Sequence, residues 1–78
     1  MGLAEKLKAI RTKEGLTQGE ICKLLDFSLS TWKKYETSLF EMGYGALSKV
    51  LQHQRFKKYT LWIMTGDTAP ECGQVSPL

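Results

Sequence analysis

Residues 17–36, TQGEICKLLDFSLSTWKKYE, decide the fold. Thr17-x-x-Glu20 is a capping box, in which the hydroxyl accepts from the third amide and the carboxylate reaches back to the cap amide. Ile21, Leu24 and Leu25 follow at helical spacing, with Cys22 as a small residue beside them, so a short helix with an inward apolar face is expected. It stops near Asp26, since aspartate tolerates left-handed backbone better than most residues. Phe27 is placed to plug the corner, and Ser28 is a good N-cap for a second helix. In that helix Trp32 and Tyr35 lie three apart and face the core, while Leu29, Ser30, Lys33 and Lys34 point elsewhere.

The flanks extend the helical pattern. Leu3, Leu7 and Ile10 recur on one face of an amphipathic helix over about residues 2–14. Gly15 ends it in left-handed geometry, and Leu16 folds back over the last turn. Residues 37–43, TSLFEMG, form an unusually apolar loop. A fourth helix is expected over 44–53, with Leu47, Val50 and Leu51 as its stripe, and a fifth over 56–65, capped by Gly66. The expectation is an all-α fold of five helices in residues 1–66, with no strands and no repeats. Residues 67–78, DTAPECGQVSPL, hold both prolines and no apolar periodicity, and read as a flexible C-terminal tail or the start of a linker.

Composition narrows the classes. Seventy-eight residues make one domain, and a chain this short buries only roughly 60% of its unfolded surface. A hydrophobic content of 42% suits a small helical core and is too high for a disordered chain. No apolar run approaches the roughly 20 residues of a membrane span. MGLAEKLKAIR carries an acid and no long apolar core, so a cytoplasmic protein is expected. The net charge of +3 is uneven: residues 1–66 set 11 cations against six acids, a net +5, which favours an anionic partner. Cys22 and Cys72 lack CxxC spacing and are expected as free thiols, one in the core and one exposed. His53 makes no zinc site with them at any recognised spacing and is expected to cap a helix end. No carboxylate pair, nucleophile–base set or phosphate-cradling glycine loop is visible, so nothing argues for an enzyme, a cofactor or a metal.

Two helices meeting at a tight turn must approach closely, which explains a small residue at Cys22 and a permissive one at Asp26. The second helix then protrudes with its first turns free. A major groove about 12 Å wide accepts one such helix. The chain resembles the Cro/cI-type helix-turn-helix family of phage repressors and related bacterial regulators, with a lambda-repressor-like fold. The resemblance rests on L-x-x-x-R in Leu7–Arg11, GLTQxEI in Gly15–Ile21, the apolar set Leu25, Phe27, Trp32 and Tyr35, the Tyr35–Glu36 pair, and LWIMTG in Leu61–Gly66. It covers residues 3–66, about four-fifths of the chain.

That resemblance implies roles residue by residue. Leu29, Ser30 and Lys34 occupy base-reading positions. Thr17, Gln18, Ser28 and Lys33 lie at the DNA backbone, and Gln18 also buttresses the recognition helix. Arg11 and Glu36 match a pair that commonly ties the first helix to the end of the third. Family members often dimerise through the last helix and the loop before the fourth. Leu39, Phe40 and Met42 with Trp62 or Ile63 are candidates for that patch, internal packing being the other reading. The chain departs from the family pattern at Asp26, where glycine is usual, and in the 37–43 loop, which lacks a basic, Pro-containing sequence. Its 52–58 connection is longer and more basic than usual; Arg55, Lys57 and Lys58 either touch DNA flanks or form a solvated face.

The chemistry agrees: Ser bonds to several base edges, Lys donates to guanine O6/N7, and Leu touches a thymine methyl. The expected function is a transcriptional regulator, a phage or prophage-type repressor. It would bind double-stranded DNA as a homodimer on a palindromic operator in the bacterial or phage-infected cytoplasm, at the nucleoid, with no membrane or small-molecule partner. Two other readings use the same fold: an antitoxin that autorepresses its operon, with residues 67–78 as the toxin-binding segment, and a protein-interaction module that does not bind DNA.

Overall fold

The computed structural model describes residues 1–78. Five helices follow in order: α1 (Leu3–Lys13), α2 (Gln18–Leu25), α3 (Leu29–Glu36), α4 (Tyr44–Gln52) and α5 (Thr60–Thr65). A 3₁₀ turn, Lys57–Tyr59, leads into α5, and another, Pro70–Cys72, follows it. No strand is present beyond one isolated bridge, Ala69 to Gln74. The fold is all-α, as expected.

Local chemistry sets the ends of α1 to α3. Gly15 takes φ 71°, and the chain closes α1 with two reverse bonds, Leu16 N–H to Arg11 O and Gly15 N–H to Thr12 O, both 3.1 Å. The Thr17/Glu20 capping box is complete at the start of α2, with bonds of 3.1 and 2.9 Å. Asp26 ends α2 in left-handed geometry, φ 59°. Ser28 Oγ then accepts the Thr31 amide at 3.2 Å and starts α3. The turn between α2 and α3 is therefore three residues long.

The core is built where the helices cross. Leu7 and Ile10 of α1, Ile21, Cys22 and Leu25 of α2, Trp32 of α3, Val50 of α4, then Phe56, Tyr59, Trp62 and Ile63 form one buried cluster. Phe27 plugs the α2–α3 corner, 5.9 Å from Trp32 and 5.8 Å from Tyr35 between ring centroids. Leu24 corrects one expectation: it is 39% exposed. At about 100° per residue it lies roughly a quarter turn from the Ile21–Cys22–Leu25 stripe, so an eight-residue helix cannot turn it inward as well.

Two further corrections concern the C-terminal third. The fifth helix starts as a 3₁₀ turn instead of running from 56. Phe56 and Tyr59, 0% and 2% exposed, are three apart, and three residues per turn brings both onto one inward face. Residues 67–78, expected as a flexible tail, fold back on the 57–61 segment. Ala69 and Gln74 exchange backbone bonds of 2.9 and 3.1 Å, and Val75 N–H donates to Lys58 O at 2.8 Å. Gln74 Oε1 accepts the Leu61 amide at 3.0 Å and its Nε2 donates to Lys57 O at 3.1 Å. The start of α5 has no side-chain cap from its own flank, so Gln74 satisfies an orphan donor from downstream. Val75 packs on the core and Pro77 is buried.

Candidate nucleic-acid interface

The outward face of α3 gathers the residues singled out for base reading. Leu29, Ser30, Lys33 and Lys34, with Thr37 and Leu39 at one end, line a single shallow, open depression. Leu29 is 43% exposed, Ser30 and Lys33 are exposed, and Lys34 is half-buried. No acidic side chain lines this surface. The Leu29 and Ser30 amides in the first turn of α3 have no acceptor within the chain.

Lys34 differs from Lys33. Its ammonium lies 4.6 Å from the centroid of the Phe40 ring. Its carbonyl accepts the Leu39 and Phe40 amides, at 2.9 and 3.2 Å. Ser38, at φ 63°, makes the left-handed step that turns the chain back to allow this. The 37–43 loop is thus hooked onto the end of α3, with Leu39 and Phe40 70% and 48% exposed and Met42 half-buried.

Behind this face, α3 is held by one carboxylate. Glu36 accepts from Arg11 Nε at 2.7 Å and Nη2 at 3.1 Å, from Gln18 Nε2 at 3.2 Å, and from the indole N–H of Trp32. Arg11 Nη1 also donates to Leu16 O at 3.0 Å. The Glu36 side chain is 3% exposed. Burial works to raise the pKa of its carboxyl; the bonds from Arg11, Trp32 and Gln18 outweigh that and hold it below the usual glutamate range. The cluster joins α1, α2 and α3 through side chains alone.

The backbone-contact candidates are partly engaged within the chain. Gln18 spends its amide nitrogen on Glu36, which makes it a buttress of α3. The Thr17 and Ser28 hydroxyl oxygens cap α2 and α3 while remaining exposed. Lys49 of α4 braces the turn: its ammonium donates to Asp26 O at 3.0 Å and lies 4.6 Å from the Phe27 ring centroid.

Three expectations away from α3 are changed or decided. Trp62 and Ile63 are each 6% exposed and belong to the core, so they offer no dimer surface. Met64, 59% exposed, is the large apolar residue that this helix turns outward. His53 does not cap carbonyls; its Nδ1 accepts the Arg55 amide at 3.2 Å and its ring lies against Phe56. Arg55 and Lys58 are drawn into ion pairs with Glu14, both at 3.1 Å, while Lys57 stays exposed.

Sequence reasoning missed that Glu14 centre entirely. Tyr59 Oη donates to Glu14 Oε2 at 2.7 Å, and Arg55 Nη2 donates to Glu14 O at 3.1 Å. Burial raises the Glu14 carboxyl's pKa, and the bonds from Tyr59, Lys58 and Arg55 more than reverse it, leaving it lowered. Burial and the bond to Glu14 push the Tyr59 hydroxyl well above its ordinary value. The partners lie more than 40 positions away, beyond any local signal. Both cysteines are free; Cys22 is buried and Cys72 exposed, and burial followed by the nearby Glu36 charge raises the Cys22 thiol's pKa.

No helix is long and apolar enough to cross a membrane, and no group of three His, Cys, Asp or Glu side chains is placed to hold a metal ion. No protein-family model matches the chain. The chain is 33% identical over 75 residues to Repressor protein C of Escherichia phage P2, a match spanning 96% of this chain and 76% of that protein. An exposed polar-basic helix locked from behind by Arg11 and Glu36 thus coincides with similarity over nearly all of this chain to a phage repressor, and the chain belongs to the family of phage P2 Repressor protein C.

Proposed function

We propose that this protein represses transcription by binding double-stranded DNA with α3 in the major groove, in the manner of Cro/cI-type helix-turn-helix proteins. The observation that carries the reading is the shared face of Leu29, Ser30, Lys33 and Lys34 on a helix whose other side is anchored to the core. Leu29, Ser30 and Lys34 read base edges, each good pair discriminating by about 1–3 kcal/mol. Lys33 and the free first-turn amides of α3 take phosphates, with Thr17 and Ser28 at the rim. Gln18 acts on the backbone through α3, since its amide nitrogen is bound to Glu36.

A two-fold operator calls for two copies with recognition helices one DNA turn apart, about 34 Å. The exposed Leu39, and Tyr44 at 84% exposure, are among the apolar side chains available to join them. Repression then follows from occupying the promoter.

Selection of duplexes from a random pool at moderate salt tests the reading. An enriched palindromic motif is expected, with two protein copies per duplex by mass measurement. Lys34→Ala is expected to relax one position of the motif, while Gln18→Ala weakens all sequences alike. A pool that yields no motif defeats the proposal.

A further inference from the structure

Lys33 and Lys34 are neighbours of identical chemistry, and the fold treats them differently. Lys33 is exposed, with no partner for its ammonium within the chain. Lys34 is half-buried and its ammonium rests on the Phe40 ring, 4.6 Å from the centroid. The ring is not a chance neighbour: the Leu39 and Phe40 amides both donate to the Lys34 carbonyl, so loop and lysine are joined through backbone as well as side chain. Lys34 also lines the same depression as Leu29 and Ser30.

We infer that Phe40 is a positioning residue that sets Lys34 for base reading, leaving Lys33 free as a phosphate contact; this rests on the DNA-binding reading above. A lysine on a free four-carbon stem must be ordered when it meets a base, which weakens a directional contact. Phe40 orders the stem beforehand. The ring face occupies one side of the ammonium, and the N–H groups on its other side stay available to an acceptor. A lysine left mobile, as Lys33 is, suits a phosphate, where charge matters more than direction. An aromatic in the loop after α3 therefore helps determine specificity without itself reading a base.

The test compares wild type with Lys34→Ala, Lys33→Ala, Phe40→Ala, Phe40→Trp and the double variant of Lys34→Ala with Phe40→Ala. The readouts are duplex selection, affinity for the selected duplex, and NMR of the DNA-free protein. Phe40→Ala is expected to relax the same base pair as Lys34→Ala and to weaken the selected duplex about two- to five-fold. Added to Lys34→Ala it costs nothing more, Phe40→Trp restores the preference, and Lys33→Ala leaves that base pair read. In DNA-free protein the Lys34 ε-methylene protons are expected to show a ring-current shift that Phe40→Ala removes and Phe40→Trp keeps.

Equal weakening of every sequence by Phe40→Ala, as a lost dimer contact would cause, overturns the assignment while the DNA reading stands. So do additive costs in the double variant, or a wild-type Lys34 without the ring-current shift. A wild-type pool with no motif removes the DNA reading, and this assignment with it.

Discussion

Two glutamates hold this small domain together, and they do so for different regions. Glu36, at the end of α3, takes Arg11, Gln18 and Trp32. Glu14, at the end of α1, takes Arg55, Lys58 and Tyr59. Each gathers an aromatic donor and either one cation, at Glu36, or two, at Glu14, around a carboxylate that the surroundings keep charged. The difference lies in burial. Glu36 is 3% exposed and Arg11 16%, whereas Glu14 is 11% exposed and its cations are 42% and 45%. The Glu36 cluster fixes the helix proposed to read DNA; the Glu14 cluster only fastens the C-terminal third to α1. Rigidity is concentrated under the proposed reading head.

Glu36→Ala is expected to have the largest effect. It strands the Arg11 guanidinium and the Trp32 indole N–H in a desolvated site, a loss of about 3 kcal/mol by denaturant unfolding. A loss within a few tenths of a kcal/mol of zero would break the comparison. A double-mutant cycle on Arg11 and Glu36 sharpens it, and coupling near zero would remove that pair from the account. Glu14→Ala comes next, at about 1–2 kcal/mol, because water can reach its two cations, Arg55 and Lys58, and only the Tyr59 hydroxyl is left in a buried site. Should Glu14→Ala cost more than Glu36→Ala, the assignment of rigidity to the α3 side fails.

The acid limb of stability tests both carboxylates through their charge alone. Folding lowers both carboxyl pKa values, so below about 4.3, the ordinary glutamate value, the unfolded chain binds more protons. The stabilisation is therefore whole above that range and is lost as pH falls through the lower folded values. Glu36→Gln and Glu14→Gln are each expected to flatten the acid limb, and an unchanged profile in both would contradict the pairing. The smallest effect is at the turn. Asp26→Gly relieves a left-handed aspartate and is expected to raise stability by about 0.5 kcal/mol, a shift in denaturant midpoint with unchanged slope. A destabilised variant would mean that the Asp26 side chain itself supports the turn.

Much of the fold was legible because its signals are short-range. A capping box, a glycine after an apolar helix and a serine before another act over three to five residues, so α1, α2 and α3 could be placed from the chain alone. Arg11 and Glu36 were legible through the family resemblance, which supplies a long-range pairing that spacing cannot. Leu24 escapes the apolar pattern because apolar character does not give direction, and this helix has room for only one inward stripe. The folded-back segment was missed for the opposite reason: it has no periodicity, and its hold comes from Gln74 on Leu61 N–H and Lys57 O and from the Val75 amide on Lys58 O, contacts 13 to 17 positions apart.

The sequence by itself determined α1 to α3, their caps and the outward set Leu29, Ser30, Lys33 and Lys34, since backbone bonding and helical period settle those within a turn or two. Only the tertiary structure decided that Trp62 and Ile63 are core, that Arg55 and Lys58 serve Glu14, and that Lys34 rests on Phe40 while Lys33 does not. Those outcomes depend on which surfaces meet when the helices cross. A charged or aromatic side chain goes to whichever neighbour the packing brings within reach, and that neighbour can lie anywhere in the chain.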